Sequence, residues 1–387
     1  MISGIRRGVK SSFLVIFLVI TLQVLVTDLF SGEGVKLGVV KVSPSLDLGF
    51  GYNSNVYLST QANAPSDMFL DSTVALGVAL PFYTHSFSLN LDVSILRFIN
   101  ETKQNNVSVS PSAQMEMNFT GGLGLIISDD FKYTKEPIFG NYVNAVERTP
   151  RYKNVLIPKI RYNIPSGIIS TFVGLKWNLD MFPTMVNYDS DQYEMFFNVL
   201  YKFLPKTSAY INGSGFYVKR DSPAYNDTTN FKGMFGLKGL ITPKLSTDLG
   251  LGWYYGGSGG AANDPIVKIS VNEKFSKLMN LTLQYDRIVQ PAITSDFYLV
   301  NKVSFTLWRS LTPIFETSFV GSWWEVDYSP SGQVDDNFTA GVNFAFVPVV
   351  ATWFKTSLGY NFSMRKSNKA NYNYNDHIVK LNFQFSL

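Results

Sequence analysis

The C-terminal segment reads Val379-Lys380-Leu381-Asn382-Phe383-Gln384-Phe385-Ser386-Leu387. Every second residue is apolar and the residues between them are polar. A strand turns successive side chains to opposite faces, whereas a helix brings together residues three and four apart. Strict alternation therefore predicts a strand with one face against apolar surroundings and the other against water.

The same period recurs upstream. Phe87, Leu89, Leu91, Val93 and Ile95 alternate with Ser88, Asn90, Asp92 and Ser94. Val107, Val109, Ala113, Met115, Met117 and Phe119 stand opposite Ser108, Ser110, Ser112, Gln114, Glu116 and Asn118. Tyr193 to Phe203 and Phe338 to Phe346 repeat the pattern. Connections alternate between short turns and longer polar links. The turns fall near Pro81–His85, Thr120–Gly122, Pro165–Gly167, Leu204–Thr207, Thr242–Leu245, Ser276–Met279, Arg309–Thr312 and Val347–Val350. The links fall near Asn53–Phe69, Asn100–Asn106, Lys135–Pro150, Asp180–Ser190, Arg220–Asn230, Gly256–Asp264, Gln290–Ser295, Glu325–Asp335 and Arg365–Asn375. Eight turns and nine links predict eighteen antiparallel strands; sixteen or twenty lie one misplaced hairpin away. Segments of about 10–13 residues suit a tilted strand crossing a bilayer, where soluble sandwiches use about 5–6. The expected fold is all-β: a transmembrane antiparallel up-and-down barrel, closed because a membrane core tolerates no sheet edge.

Composition points the same way. Charged residues are only 16% of the 387, and aromatics reach 15%. Disorder requires the opposite balance. The formal charge of +4 lends nucleic-acid binding no support. No cysteine is present, which excludes disulfides, thiolate metal sites and a lipoprotein anchor. Arg6, Arg7 and Lys10 precede an apolar run from Phe13 to Val26, the layout of an export signal cleaved near residue 34. The expected mature chain is a single domain, residues 35–387, in the outer membrane of a Gram-negative-type bacterium. Its surroundings would be outer-membrane lipid and lipopolysaccharide, and the terminal strand resembles the signature read by the barrel assembly machinery. Aromatics near strand ends, among them Phe98, Phe119, Tyr133, Tyr162, Trp177, Phe203, Trp253, Tyr255, Trp323, Trp353 and Tyr360, suit the interfacial girdles of such a barrel.

Residues opposite each apolar face are the candidate pore lining. The acidic ones are Asp92, Glu116, Glu194, Asp248 and Glu316, with Asp47 and Asp286. The basic ones are Lys159, Arg161, Lys176, Lys202, Lys238, Lys268 and Lys302, with Lys232, Lys355 and Lys380. Such residues either meet solute or pair across strands to brace the wall. Phe172, Leu200 and Tyr254 on the same faces would narrow a channel. Gly256 to Gly260 matches the letters of a nucleophile elbow, but that motif needs a strand-to-helix turn and a partnered histidine. His85 and His377 fall at opposite strand ends. No catalytic, cofactor or metal constellation is expected.

One segment is more specific. Pro44-Ser45-Leu46-Asp47-Leu48-Gly49-Phe50-Gly51-Tyr52-Asn53-Ser54-Asn55-Val56-Tyr57, followed by Asp67, resembles the opening of the β-barrel porin family found with exopolysaccharide gene clusters. The likeness covers residues 42–80. It implies a conduit that passes a secreted polysaccharide, fed by a periplasmic polysaccharide export protein. Tyr52, Asn53, Asn55 and Tyr57 would then form a sugar-contacting strip near the outer mouth, or equally serve as turn and loop residues. The alternatives are a general or sugar-selective diffusion porin and a structural or adhesive barrel with a closed lumen.

Overall fold

The computed structural model describes residues 34–60, 64–136, 149–184, 188–221, 226–257, 262–291, 297–329, 331–349, 351–369 and 372–386. The expected export signal lies outside them, as do most of the 135–150 link and the heart of the Gly256–Gly260 run.

The chain is a procession of strands. A short β1 (Val35–Leu37) precedes β2 (Val40–Asn53), β3 (Asp67–Phe82), β4 (His85–Phe98), β5 (Asn106–Asn118), β6 (Leu123–Glu136) and β7 (Thr149–Asn163). Then come β8 (Ile169–Met181), β9 (Ser190–Leu204), β10 (Thr207–Arg220), β11 (Thr228–Leu240), β12 (Leu245–Gly256) and β13 (Ala262–Ser276). The last six are β14 (Met279–Pro291), β15 (Phe297–Thr312), β16 (Phe315–Ser329), β17 (Gln333–Phe346), β18 (Phe354–Ser367) and β19 (Tyr374–Ser386).

Each strand from β2 to β19 pairs antiparallel with the next. The ring closes where β19 meets β2, from Ile378 opposite Asn53 to Ser386 opposite Ser45. Eighteen strands thus form a closed barrel, as the alternation predicted. Both ends of the ring lie on the side of the short turns. Residues 40–44 of β2 run past the end of β19, and β1 covers their free edge by pairing Val35 with Val42 and Leu37 with Val40. Three residues carry too little pattern to announce such a strand.

The alternation has its physical cause in the two solvents. Outward positions hold exposed apolar groups all round the ring, for example Phe50, Leu76, Leu91, Ile160, Met195, Phe235, Leu251, Phe305, Leu358 and Leu381. This is the belt a hydrocarbon layer requires. Phe119, Tyr162, Trp177, Phe203, Trp253, Tyr255, Trp323 and Tyr360 are exposed among them. Phe98 is not a girdle residue: it is 6% exposed and packs with Val56 and Phe69. Among the described residues, some outward positions depart from the rule. Asp129 lies between Ile127 and Phe131 and opposite Ala113 and Leu156, in the middle of the apolar face.

Several boundaries also differ. The expected turn at Arg309–Thr312 is strand. The reversal comes at residues 313–314, where the Thr312 hydroxyl accepts from the amides of Ile314 and Phe315. The outer links at 325–335, 365–375 and 290–295 are shorter than expected, because strands continue past the apolar belt. There polar residues such as Gln333 and Asp335 are themselves buried, and polar composition no longer distinguishes strand from loop.

Candidate functional site

The inner wall is built by the alternate set of side chains, and a regular device organises it. Charged groups reach over the strand between them, and that strand supplies a small or slender residue at the crossing. Arg161 on β7 reaches Glu116 on β5 at 2.9 Å and donates to Asn118 Oδ1 at 2.6 Å. Gly124 lies beneath the guanidinium, its Cβ position 3.4 Å from Arg161 Nη2. Lys380 on β19 reaches Asp71 on β3 at 2.7 Å across Gly49 of β2. Lys355 on β18 reaches Glu316 on β16 at 3.6 Å, with Ala345 between them on β17. Tyr210 on β10 donates to Asp248 on β12 at 3.0 Å over Gly236 and Gly250. Lys268 completes that carboxylate at 2.6 Å.

Glu194 on β9 is the most enclosed of these acids, 8% exposed. Lys232 reaches it at 3.3 Å and Lys176 at 3.8 Å, and Lys232 also lies 5.4 Å from the centre of the Phe216 ring. Two ammonium groups on one carboxylate leave a local excess of positive charge. Lys159 stands 6.0 Å from the Phe172 ring, and Lys302 is 5.6 Å from that of Trp324. Asp286 is opposite both Lys268 and Lys302 in register. Asp92 is exposed, opposite Ala75 and Ser110. Lys202 and Lys238 are exposed beside Ser208. All twelve candidate lining residues therefore share the face turned away from the apolar belt. Of the three bulky residues on that face, Tyr254 is fully buried and belongs to the outer mouth, where its hydroxyl donates to Asn230 at 2.6 Å. Phe172 packs edge-on against Phe196.

The outer mouth holds residues that alternation cannot flag. Arg365 pairs with the fully buried Asp335, which also accepts from Gln333 Nε2 at 3.0 Å. Arg151 pairs with Asp180. Arg220 donates to the Asn226 carbonyl at 2.6 Å. In the link before β11, Asp227 accepts from the Tyr217 hydroxyl and from the Arg220 amide. Those two hydrogen bonds, the tyrosine's first, hold its carboxyl below the ordinary range. Asp189, ahead of β9, accepts from the Phe182 amide at 2.6 Å, yet burial outweighs that bond and raises its pKa.

The first hairpin is tied into a clasp. Tyr52 is on the outward face, 42% exposed. The Asn53 side chain accepts from the Asn55 amide at 2.7 Å. Asn55 is buried, and its side-chain Nδ2 donates to the carbonyls of Ser59 and Asn375 at 2.8 and 3.0 Å. Ser54 and the Asn55 amide both donate to Asp376 at 3.2 Å. The Tyr57 hydroxyl donates to Glu101 at 2.8 Å. Asp67 then accepts from the backbone amides of Asn100 and Glu101 at 2.7 and 2.8 Å. Asn53, Ser54, Asn55, Tyr57 and Asp67 thus fix the link between β2 and β3 to the outer end of β19 and to the next outer link.

The two histidines are held apart. His85 Nδ1 accepts from the Asn118 amide at 3.2 Å on the turn side, while His377 Nδ1 meets the Tyr360 hydroxyl at 2.9 Å toward the outer side.

No protein-family model matches the chain, and no curated protein matches it. Solved structures do. The outer membrane protein OpdK of Pseudomonas aeruginosa aligns with a TM-score of 0.52 at 9% identity, over 90% of this chain and 98% of that one. OccK2 (OpdF) of the same organism gives 0.53 at 8%, over 89% and 98%. OccAB4 of Acinetobacter baumannii gives 0.52 at 9%, over 92% and 100%. At such identities the likeness is one of fold, and it spans the whole barrel.

Proposed function

We infer that the chain is a Gram-negative outer-membrane β-barrel of porin architecture, from its closed eighteen-strand ring and its likeness of fold to outer-membrane proteins. We propose that it is a passive diffusion channel for small hydrophilic solutes. The observation that carries this is the state of the inner wall. Strands pack chiefly on their ring neighbours, and among the described residues no strand pairs across the interior. Inner-wall charges that are already paired remain wet: Lys232 is 45% exposed, Lys355 40% and Lys268 39%. A ring of about 16–18 strands is wide enough to leave an aqueous channel. A filled barrel would enclose those ammonium groups at several kcal/mol each (order of magnitude).

The polysaccharide conduit, with a periplasmic export protein as its partner, is the second reading. It is favoured by the resemblance in residues 42–80. The clasp bonds of Asn53, Asn55 and Tyr57 give those residues a structural occupation that needs no sugar.

Single-channel recording in planar bilayers tests both. A stable conductance reduced by small sugars, and unaffected by long oligosaccharides, is expected. Block that grows with chain length would transfer support to the polymer conduit. Electrical silence of correctly folded protein would refute both.

A further inference from the structure

Most inner-wall cations have an acidic or aromatic partner, and three near the turn-side rim stand out against that rule. Lys202, near the end of β9, and Lys238, near the end of β11, lie in register on either side of Ser208. Lys206 sits in the turn between β9 and β10. Among the described residues, none of the three is paired with a carboxylate. A basin of about 420 Å³ opens here, lined by Lys206, Lys238, Ser208, Ser246, Ser270 and Asp248, among others.

Its chemistry is one-sided. The hydroxyls of Ser208, Ser246 and Ser270 have no hydrogen-bond partner among the described residues. Asp248, the one acid in the lining, already accepts from Lys268 and Tyr210. What faces the basin is therefore ammonium charge and free hydroxyl donors, with one neutralised carboxylate at its edge.

We propose that this basin binds a tetrahedral oxyanion of the phosphate or phosphate-monoester class at the periplasmic entrance of the barrel. Lysine is a point charge with rotatable donors, whereas a planar carboxylate is better matched by the guanidinium fork, which this basin lacks. Two lining cations, Lys238 from a strand and Lys206 from a turn, with Lys202 in register beside Ser208 and hydroxyls between them, suit charge spread over several oxygens in three dimensions. The volume leaves room for a small organic group on the phosphate. Unpaired cations in a low-dielectric wall also focus the field that draws anions toward an opening. The role at a channel entrance rests on the diffusion-channel reading; the binding does not.

Phosphorus NMR of inorganic phosphate and of glycerol phosphate, titrated with the folded full-length protein in detergent micelles, measures binding without conduction. The expected result is saturable binding that weakens by about tenfold or more in the Lys206→Ser/Lys238→Ser double variant, as charge-assisted bonds are lost. It should be unchanged in Lys355→Ser, which removes a cation elsewhere on the wall. In bilayers, phosphate added on the turn side should reduce the current, and phosphate on the outer side should do so less. Absence of binding, or equal binding in the double variant, overturns the proposal while conductance leaves the channel reading standing. Binding without conductance upholds the basin and refutes the channel. Lysine-dependent binding to phosphatidylglycerol vesicles but not to free phosphate would assign the basin to a lipid headgroup and overturn the solute assignment.

Discussion

Gly49 and Gly51 lie two residues apart on the inner face of β2, and alanine is expected to be nearly neutral at the first and destabilising at the second. A Cβ at Gly49 would meet the flexible end of Lys380, with Nζ at 3.1 Å and Asn382 Oδ1 at 3.2 Å. The lysine can swing away, at the cost of a partly exposed ion pair with Asp71 worth about 0–1 kcal/mol. Alanine in a strand recovers about 0.5–1 kcal/mol relative to glycine, so Gly49→Ala should be close to neutral. At Gly51 the Cβ would stand 2.6 Å from Phe69 Cε1 and closer to Cζ, with the Val379 carbonyl at 2.8 Å. The ring must retreat by about 1 Å to reach ordinary contact. Phe69 is 9% exposed and packs on Phe98 with ring centres 5.8 Å apart. Losing half of that burial costs about 1–1.5 kcal/mol, and overpacking adds about 1 kcal/mol. After the gain from alanine, the net loss is about 1–2 kcal/mol. Urea unfolding of the lipid-embedded protein, followed by tryptophan fluorescence, reads both. In a Phe69→Ala background the Gly51→Ala cost should fall by about 1 kcal/mol, leaving only the close approach to the Val379 carbonyl, a coupling that a double-mutant cycle isolates. Equal midpoints for the two single variants, or an undiminished Gly51→Ala cost without the ring, would refute the reasoning.

Other outcomes follow from the wall and the mouth. Asp335→Ala strands Arg365 among buried groups and should cost about 3–5 kcal/mol, with much of it recovered when Arg365→Met is added; the same unfolding assay reports it. Asp129→Leu replaces a carboxylate in the apolar belt and should raise stability by about 1–2 kcal/mol; a drop would mean that this face is not in contact with lipid tails. Tyr210→Phe deletes the bond to Asp248 and should cost about 1–2 kcal/mol, since the acceptor is charged. Asp227 has a folded pKa below its ordinary value, so its contribution is complete above pH ~4 and vanishes as pH falls through the folded value. Hydrogen-exchange protection of the Arg220 amide should therefore drop only below that range, and Asp227→Asn should abolish this acid step.

Strand number, closure and the facing of the twelve candidate lining residues were legible because two solvents impose a period of two on every strand. Legibility ends where one solvent does. Gln333 to Asp335 and Arg365 to Ser367 are strand beyond the lipid belt, where Gln333, Asp335 and Arg365 are polar yet buried against one another, so their letters read as loop. Pairings such as Glu116 with Arg161, or Lys380 with Asp71, depend on register across a third strand, which no single strand encodes. The glycines that permit those crossings were visible as letters, but only the register gives each one a neighbour to accommodate. The clasp was the hardest to see: Asn55 and Asp376 are 321 positions apart, and their union exists only once the ring has closed.

The charge bridges that skip a strand have a mechanical meaning. A hydrogen-bonded ladder resists sliding but bends easily along its strands, so a wide cylinder of sheet is free to flatten into an ellipse. Glu116 to Arg161, Lys232 to Glu194, Lys355 to Glu316 and Lys380 to Asp71 each run along the circumference over a three-strand arc. They act as short struts against a change of curvature, placed at four stations around the bore. A bore held round has one diameter rather than a fluctuating range, and under the proposed channel function it would pass or reject a solute by a sharp limit of size.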